Sequence, residues 1–377
     1  MDYRTKLCFC RDIYDQRASD RTFMEAVRRN VDCHLLKCKD YRRILESRGF
    51  SRSDGQRVMN AGEVPCIPTL FFKYHDLYSV PEASMVIKAT SSGTGGVKSR
   101  IGFDKKSLFF AGVAAGRVIA RHGLFSVRPV HYVILGFPPG KENQTAISRT
   151  QRLSTMFAPA LSRKYALRKG KHGYRPDFNG LLEALRRYGR GNAPVRIIGF
   201  PAYLYFLLKE MERNRIFIRL PKHSMIMAGG GWKQFYKETV DKRELYRLGE
   251  RHLGIPESHF REFFGAVEHP GVYCDCPNHH FHIPVTSRVV IRDVDTLEPV
   301  GYGTTGLVNL ISPLVESMPL VSILTDDLGL LHRGCECGCG IEAPYLEIIG
   351  RTGVPEIRTC AAGAEEVLKE AGRSALR

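Results

Sequence analysis

Acidic residues are scarce in this chain of 377 residues: 39 Asp and Glu stand against 56 Lys and Arg, leaving a formal charge of +17. Tryptophan occurs once, at Trp232. No stretch approaches the roughly 18–20 apolar residues that a membrane helix needs, so a helical membrane span is excluded. The first twenty residues, opening Met1-Asp2-Tyr3-Arg4, hold no apolar core of the kind a secretory signal carries. The protein is therefore expected to be soluble and cytoplasmic. Internal repeats and low-complexity tracts are missing as well, which sets aside solenoids and disordered tails.

What is present describes a folded protein. Hydrophobic residues make up 43% of the chain, charged residues 25% and aromatic residues 10%. That length and composition supply one large core or two modest ones. The basic excess suits nucleic acid, an anionic membrane, an acidic protein or a phosphate-bearing ligand. The positive residues are dispersed, densest over residues 163–190, and no RNA-binding signature accompanies them, so nucleic acid ranks low among these. Eleven cysteines is an odd number, and a cytosolic chain keeps most of them as thiols. Five of them, Cys8, Cys10, Cys33, Cys38 and Cys66, show no regular spacing and read as plain thiols.

The first 60 residues read as helical, with charged and apolar positions mixed. A proline-bearing segment, Val64-Pro65-Cys66-Ile67-Pro68-Thr69, fixes an extended connection. From about residue 85, strand-like runs alternate with helix-like segments. Strands are expected over 131–137, 195–200, 224–228, 287–292 and 305–310. One helix is expected over 178–188, with Asp177 as its cap, and another over 201–212, with Pro201 in its first turn. This alternation argues for an α/β fold with helices packed on sheets.

A glycine-rich loop follows the apolar run Met85-Val86-Ile87: Ser91-Ser92-Gly93-Thr94-Gly95-Gly96-Val97-Lys98. Glycines let successive backbone N–H groups turn toward an anion, hydroxyls add donors, and Lys98 adds charge. That is chemistry for a polyphosphate. The Walker A spacing is absent.

These residues resemble the phosphate loop of adenylate-forming enzymes, and further motifs of that superfamily follow in order. Phe264-Gly265-Ala266-Val267-Glu268 is similar to its aromatic-Gly-x-Thr-Glu motif. Leu324-Thr325-Asp326-Asp327 is similar to the segment that ends in a ribose-binding Asp, and Ile348-Ile349-Gly350-Arg351 to the Gly-Arg at its hinge. Gly229-Gly230-Gly231-Trp232-Lys233 then narrows the resemblance to the acyl-protein synthetases of bacterial bioluminescence fatty-acid reductase complexes, with phenylacetate-CoA ligases as the next relatives.

The resemblance implies that residues 1–350 form an adenylate-forming domain with mixed sheets flanked by helices, using ATP and Mg²⁺. Ser91, Ser92, Gly93, Thr94, Gly95, Gly96 and Lys98 would hold the β- and γ-phosphates. Phe264 would lie against adenine, beside Gly265. Glu268 would bind Mg²⁺, a hard cation that takes carboxylate oxygen. Asp327 would accept from the ribose hydroxyls and Arg351 would contact ribose or phosphate. Gly229, Gly230 and Gly231 would let backbone approach the nucleotide or acyl chain. Two plainer readings stand beside these: Asp326-Asp327-Leu328-Gly329 suits a turn, and Trp232 and Lys233 suit a core and a surface position.

Cys274-Asp275-Cys276-Pro277-Asn278-His279-His280-Phe281-His282 and Cys335-Glu336-Cys337-Gly338-Cys339 place thiols and imidazoles at two separated sites, which suits tetrahedral Zn²⁺. Cys276, His282, Cys337 and Cys339 make the best four-ligand set, and phenylacetate-CoA-ligase-like enzymes resemble it in spacing. Cys274 and Cys335 are possible substitutes; His279 and His280 read as surface residues. Four protein ligands leave no open position, so the metal would be structural.

Only residues 352–377 follow Arg351, where full-length relatives carry a further domain with a catalytic lysine. Lys369 is not identified as its replacement. Residues 351–377 are read as a truncated tail in which a short helix follows Cys360. A thiol at a helix N-terminus beside Arg358 favours its thiolate, the form that could take an acyl group. In the acyl-protein synthetases a cysteine near the C-terminus is acylated and passes the chain to a reductase, and Cys360 matches that position. The leading expectation is an ATP-dependent ligase that adenylates a fatty or aryl acid and loads it on Cys360 for a reductase partner. The alternatives are a ligase that uses coenzyme A or an acyl carrier protein, and a zinc-stabilised nucleic-acid-binding protein.

Overall fold

The computed structural model describes residues 2–90, 100–138, 151–170, 173–230 and 240–351. They fall into two compact units. One joins the chain up to His122 to the chain from Gly265 onward; the other is the continuous stretch Gly123–Phe264.

The first unit opens with helices, as its mixed pattern predicts. The longest, Gln16–Lys37, starts where the Asp15 side chain accepts from the Ala18 amide, and its buried stripe runs Phe23, Val27, Val31 and Leu35. That spacing of four puts all of them on one face. The face packs on an antiparallel sheet in the order Phe281–His282, Tyr345–Arg351, Ser322–His332, Gly306–Ile311, Arg288–Arg292. The proline-bearing segment runs extended, and Ile67–Pro68 pairs in parallel with the start of Ser322–His332. Proline is tolerated there because the strand is two residues long and lies off the main ladder. Tyr41, Ile67, Val321 and Ile323 complete this core. Met85–Thr90 and Arg100–Asp104 form a separate antiparallel pair, with Thr90 opposite Arg100.

The second unit is built on a parallel sheet. Its order is Phe260–Phe264, Met225–Gly229, Val195–Gly199, Val130–Leu135, Ala160–Tyr165. Numbered along the chain, that is 5-4-3-1-2, a doubly wound order. Helices Phe178–Gly189, Pro201–Arg213 and Lys242–Leu253 supply Leu181, Leu185, Leu204, Leu208, Leu245 and Leu248 to its core. The Asp177 side chain caps the first of these, accepting from the Gly180 amide, and Pro201 opens the second. Both features were expected. The five strands expected from residue 131 onward all form, each within two residues of its expected ends.

Candidate functional site

In the parallel sheet, the chain reverses its direction of progress between Val130–Leu135 and Val195–Gly199. Ligands of such sheets bind outside the carboxyl ends of the strands. Gly229 ends one strand there, opposite Phe263, and Phe264 ends its neighbour. Two of the expected nucleotide contacts thus sit side by side at the ligand-binding end. Gly230 follows at φ 91°, and a Cβ on it would lie 2.5 Å from the Phe200 ring. Only glycine fits there, so the backbone passes directly over that ring. Phe200 itself leaves the carboxyl end of Val195–Gly199 into its helix. The sequence offered no signal for Phe200 beyond its place before Pro201.

In the first unit, Glu268 and His269 follow Gly265 in a short turn that the His269 amide closes on the Ala266 carbonyl at 3.1 Å. Both side chains are buried. His269 Nε2 lies 3.0 Å from the Tyr273 hydroxyl and 3.3 Å from that of Ser287. Burial drives its imidazole down to about 3, so it is neutral. This histidine was not picked out from the sequence, although it adjoins Glu268.

Asp327 is not in a turn. It lies inside the strand Ser322–His332, buried, with its amide donating to Thr325 Oγ1 at 3.2 Å. The sequence Asp326-Asp327-Leu328-Gly329 looks turn-like because it carries a β-bulge: the register against Tyr345–Arg351 shifts between Leu328 and Gly329. A Cβ at Gly329 would stand 2.6 Å from the Glu347 carbonyl oxygen, which is why glycine is required. The pairing sets Asp327 opposite Arg351, so these two expected nucleotide contacts are cross-strand neighbours. Ser91, Ser92, Gly93, Thr94, Gly95, Gly96, Lys98, Gly231, Trp232, Lys233 and Cys360 lie outside the described residues.

The expected metal-ligand residues do come together. One ligand atom from each of Cys276, His282, Cys337 and Cys339 lies within 4.8 Å of all the others. The sulfurs of Cys276 and Cys337 are 3.5 Å apart, and that of Cys339 is 3.2 Å from His282 Nε2. A tetrahedral Zn–S distance of about 2.3 Å puts two sulfurs roughly 3.8 Å apart, whereas a disulfide needs about 2.05 Å. The spacing therefore fits a shared cation. His282 Nδ1 lies 2.7 Å from the Ala343 carbonyl oxygen, which can only accept, so Nδ1 carries the proton and Nε2 presents its lone pair. Burial keeps this imidazole below its usual value and so neutral. Burial also pushes the Cys276 thiol up to about 12, so only a cation in contact would make a thiolate there at neutral pH.

Cys335 is exposed and Cys274 points its sulfur at the Asp275 carbonyl, 3.7 Å away; neither joins the set. His280, expected at the surface, is half-buried. Its Nδ1 is 3.1 Å from the Cys337 sulfur and its ring stacks on Tyr345 at 4.2 Å. His279 is partly buried too, with Nδ1 2.8 Å from the Asp275 carboxylate. Asn278 adds a bond to the Cys337 carbonyl at 2.6 Å.

No helix among the described residues is long and apolar enough to cross a membrane. A family model described as "Acyl-protein synthetase, LuxE" matches residues 13–369. The long-chain-fatty-acid–luciferin-component ligase of Aliivibrio fischeri is 25% identical over 315 residues, which is 82% of this chain and 79% of that one. The enzyme of the same name from Vibrio harveyi is 24% identical over 304 residues, covering 80% and 76%. Among solved structures, an open conformation of 2-hydroxyisobutyryl-CoA ligase, in complex with 2-HIB-AMP and CoA, superposes with a TM-score of 0.67 at 17% identity. It covers 92% of this chain and 78% of that one, so the fold is that of an adenylate-forming ligase.

Proposed function

The chain belongs to the LuxE acyl-protein synthetase family, and from that premise we propose that it loads a long-chain fatty acid onto the thiol of Cys360 for delivery to an acyl reductase. The family makes it an ATP-dependent acid ligase. The acid's carboxylate attacks the α-phosphate of ATP, and pyrophosphate leaves. The Cys360 thiolate then attacks the acyl carbon, and AMP leaves as the C–S bond forms. The observation that carries the choice of acceptor is the family match itself, which runs through residue 369 and so includes Cys360.

The chain's own groups contribute position and charge. Residues 91–96 and Lys98 would hold the β- and γ-phosphates. Phe264, with Gly229 to Gly231, would line the nucleotide at the carboxyl end of the parallel sheet. Asp327 would accept from the ribose hydroxyls, with Arg351 across the strand pair. Glu268, a buried carboxylate, offers the hard oxygen that Mg²⁺ takes; that cation would neutralise phosphate charge. Cys276, His282, Cys337 and Cys339 would hold a structural Zn²⁺. None of the ten cysteines among the described residues is in a disulfide, in keeping with a reducing, cytoplasmic setting. Residues 351–377 would act as the tail that carries Cys360 to its partners.

The test is intact-protein mass spectrometry after incubation with ATP, Mg²⁺ and a panel of fatty and aromatic acids. Wild type should gain an acid-dependent adduct that hydroxylamine releases, and Cys360→Ser should gain none. Pyrophosphate release without an adduct would move the acceptor to coenzyme A or a carrier protein.

A further inference from the structure

The proposed reaction assigns no role to the basic stretch that begins near residue 163, and the surface around it is unusual for another reason. Between Gly123 and Gly170 the only acidic residue is Glu142. The described part of that segment carries Arg128, Arg152 and Arg163, all exposed, together with exposed large hydrophobics. Val127 is 92% exposed and Met156 71%, and Phe125, Leu153 and Leu161 are each more than half exposed. Scattered single apolar residues need no explanation, but a cluster on one surface does.

The fold explains why they cluster. Phe125 and Val127 precede the strand Val130–Leu135, and Met156 precedes Ala160–Tyr165, so all three lie at the amino end of the parallel sheet. Phe125 and Phe157 meet edge to face at 5.6 Å, and the Ser126 amide donates to the Phe157 carbonyl at 2.9 Å. These contacts fix the two loops together around a shallow groove of about 560 Å³, lined by Phe125, Val127, Met156, Pro159 and Arg163. The strand beside it, Ala160–Tyr165, is the sheet's edge among the described residues. Its two faces differ. Ser162 bonds His131 and Tyr188, both at 2.8 Å, and Lys164 pairs with Asp177, so that face lies under the helix Phe178–Gly189. Leu161 and Arg163 alternate to the opposite face. Parallel sheets ordinarily have both faces covered.

We propose that this surface docks a partner protein that presents an apolar ridge flanked by carboxylates, and, resting on the reading given above, that the partner is the acyl reductase that takes the thioester. The charge pattern selects the occupant. A second copy of this chain would meet the same patch with itself, arginine rim against arginine rim, because an isologous interface pairs like with like. An acidic partner meets the rim with opposite charge, which raises its association rate and fixes its orientation. A concave groove favours an inserted side chain over a flat bilayer. The surface also stands at the opposite end of the sheet from Gly229 and Phe264, so the nucleotide and the partner would not compete for it.

The test uses the full chain and the separately purified acyl reductase. Val127→Asp, Met156→Asp and Arg128→Glu change exposed side chains. Each should weaken reductase binding at least tenfold by calorimetry, with fatty-acid-dependent ATP–pyrophosphate exchange within twofold of wild type. Wild-type binding should also weaken as salt rises. Equal binding by all three variants overturns the surface and leaves the partner standing. No complex with wild type overturns the partner and the surface with it. Loss of binding to phosphatidylglycerol vesicles, or of a wild-type dimer on gel filtration, with reductase binding intact, would assign the patch to a membrane or to a second copy instead.

Discussion

His280 sits with its ring flat on Tyr345 and its Nδ1 within 3.1 Å of the Cys337 sulfur. A hydrogen bond from an outer residue to a metal ligand orients it and tunes its charge, and losing one typically weakens metal binding about 10- to 100-fold. His280→Ala should weaken zinc affinity by that factor in competition with a chromophoric chelator. Cys335→Ser should retain the wild-type zinc content and Cys276→Ser should not. Equal affinities in wild type and His280→Ala would remove the histidine from the site. The two cysteine–histidine clusters were legible in the sequence from their density, while the choice of Cys276 over Cys274 and of Cys339 over Cys335 rested on the resemblance to phenylacetate-CoA-ligase-like enzymes. The part of His280 was not legible, since nothing in a sequence says that a ring will stack on a tyrosine 65 positions away. The plainer reading of Asp327 as a turn residue fails for a similar reason: a bulged strand and a turn both ask for Asp and Gly.

Elements show the balance between local and distant causes. The helix Phe178–Gly189 was legible because its cap, its apolar spacing and its length are all local. Asp177 makes two contributions there, accepting from the Gly180 amide at 3.3 Å and pairing with Lys164 at 2.6 Å. The hydrogen bond from Lys164 holds its carboxyl below the usual range. A depressed folded value means that its stabilisation is complete above the unfolded carboxyl's value of about 3.9, and is lost as pH falls through the folded one. Asp177→Ala should therefore cost about 1 kcal/mol at pH 7. The gap to wild type should close in acid, as denaturant titration at several pH values would show. A constant gap down to the lowest pH would mean that the ion pair and cap contribute nothing. The order of the parallel strands, by contrast, was not legible. The strands range from the apolar Val130–Leu135 to Ala160–Tyr165, which carries Arg163 and Lys164, and which neighbours each takes depends on crossovers of 24 to 30 residues.

At the scale of the molecule, the main cores of the two units share no residue among those described. One draws on Val133 through Phe260, all within the continuous stretch Gly123–Phe264; the other draws on Leu7 to Ile101 and on Ile311 to Ile323. The sequence shows no linker at either junction, because the chain passes from one unit to the other without a proline- or glycine-rich stretch. A continuous segment with its own core is a candidate for independent folding. Residues 123–264 expressed alone should give an α/β circular-dichroism spectrum and a cooperative thermal transition. A non-cooperative melt would show that this core needs the rest of the chain.

The discontinuous unit carries a cost that falls at synthesis. Phe23, Val27, Val31 and Leu35 leave the ribosome long before Val321 and Ile323, the strand residues against which they pack. At roughly 5–20 residues per second, the interval is on the order of a quarter of a minute to a minute. Over that time the inserted unit can fold, while the first helices carry an apolar stripe that still lacks the strand Ser322–His332. The nascent protein is thus a client for whatever shields hydrophobic helices in its cell, and its yield when expressed elsewhere will depend on that shielding more than on the stability of the finished fold.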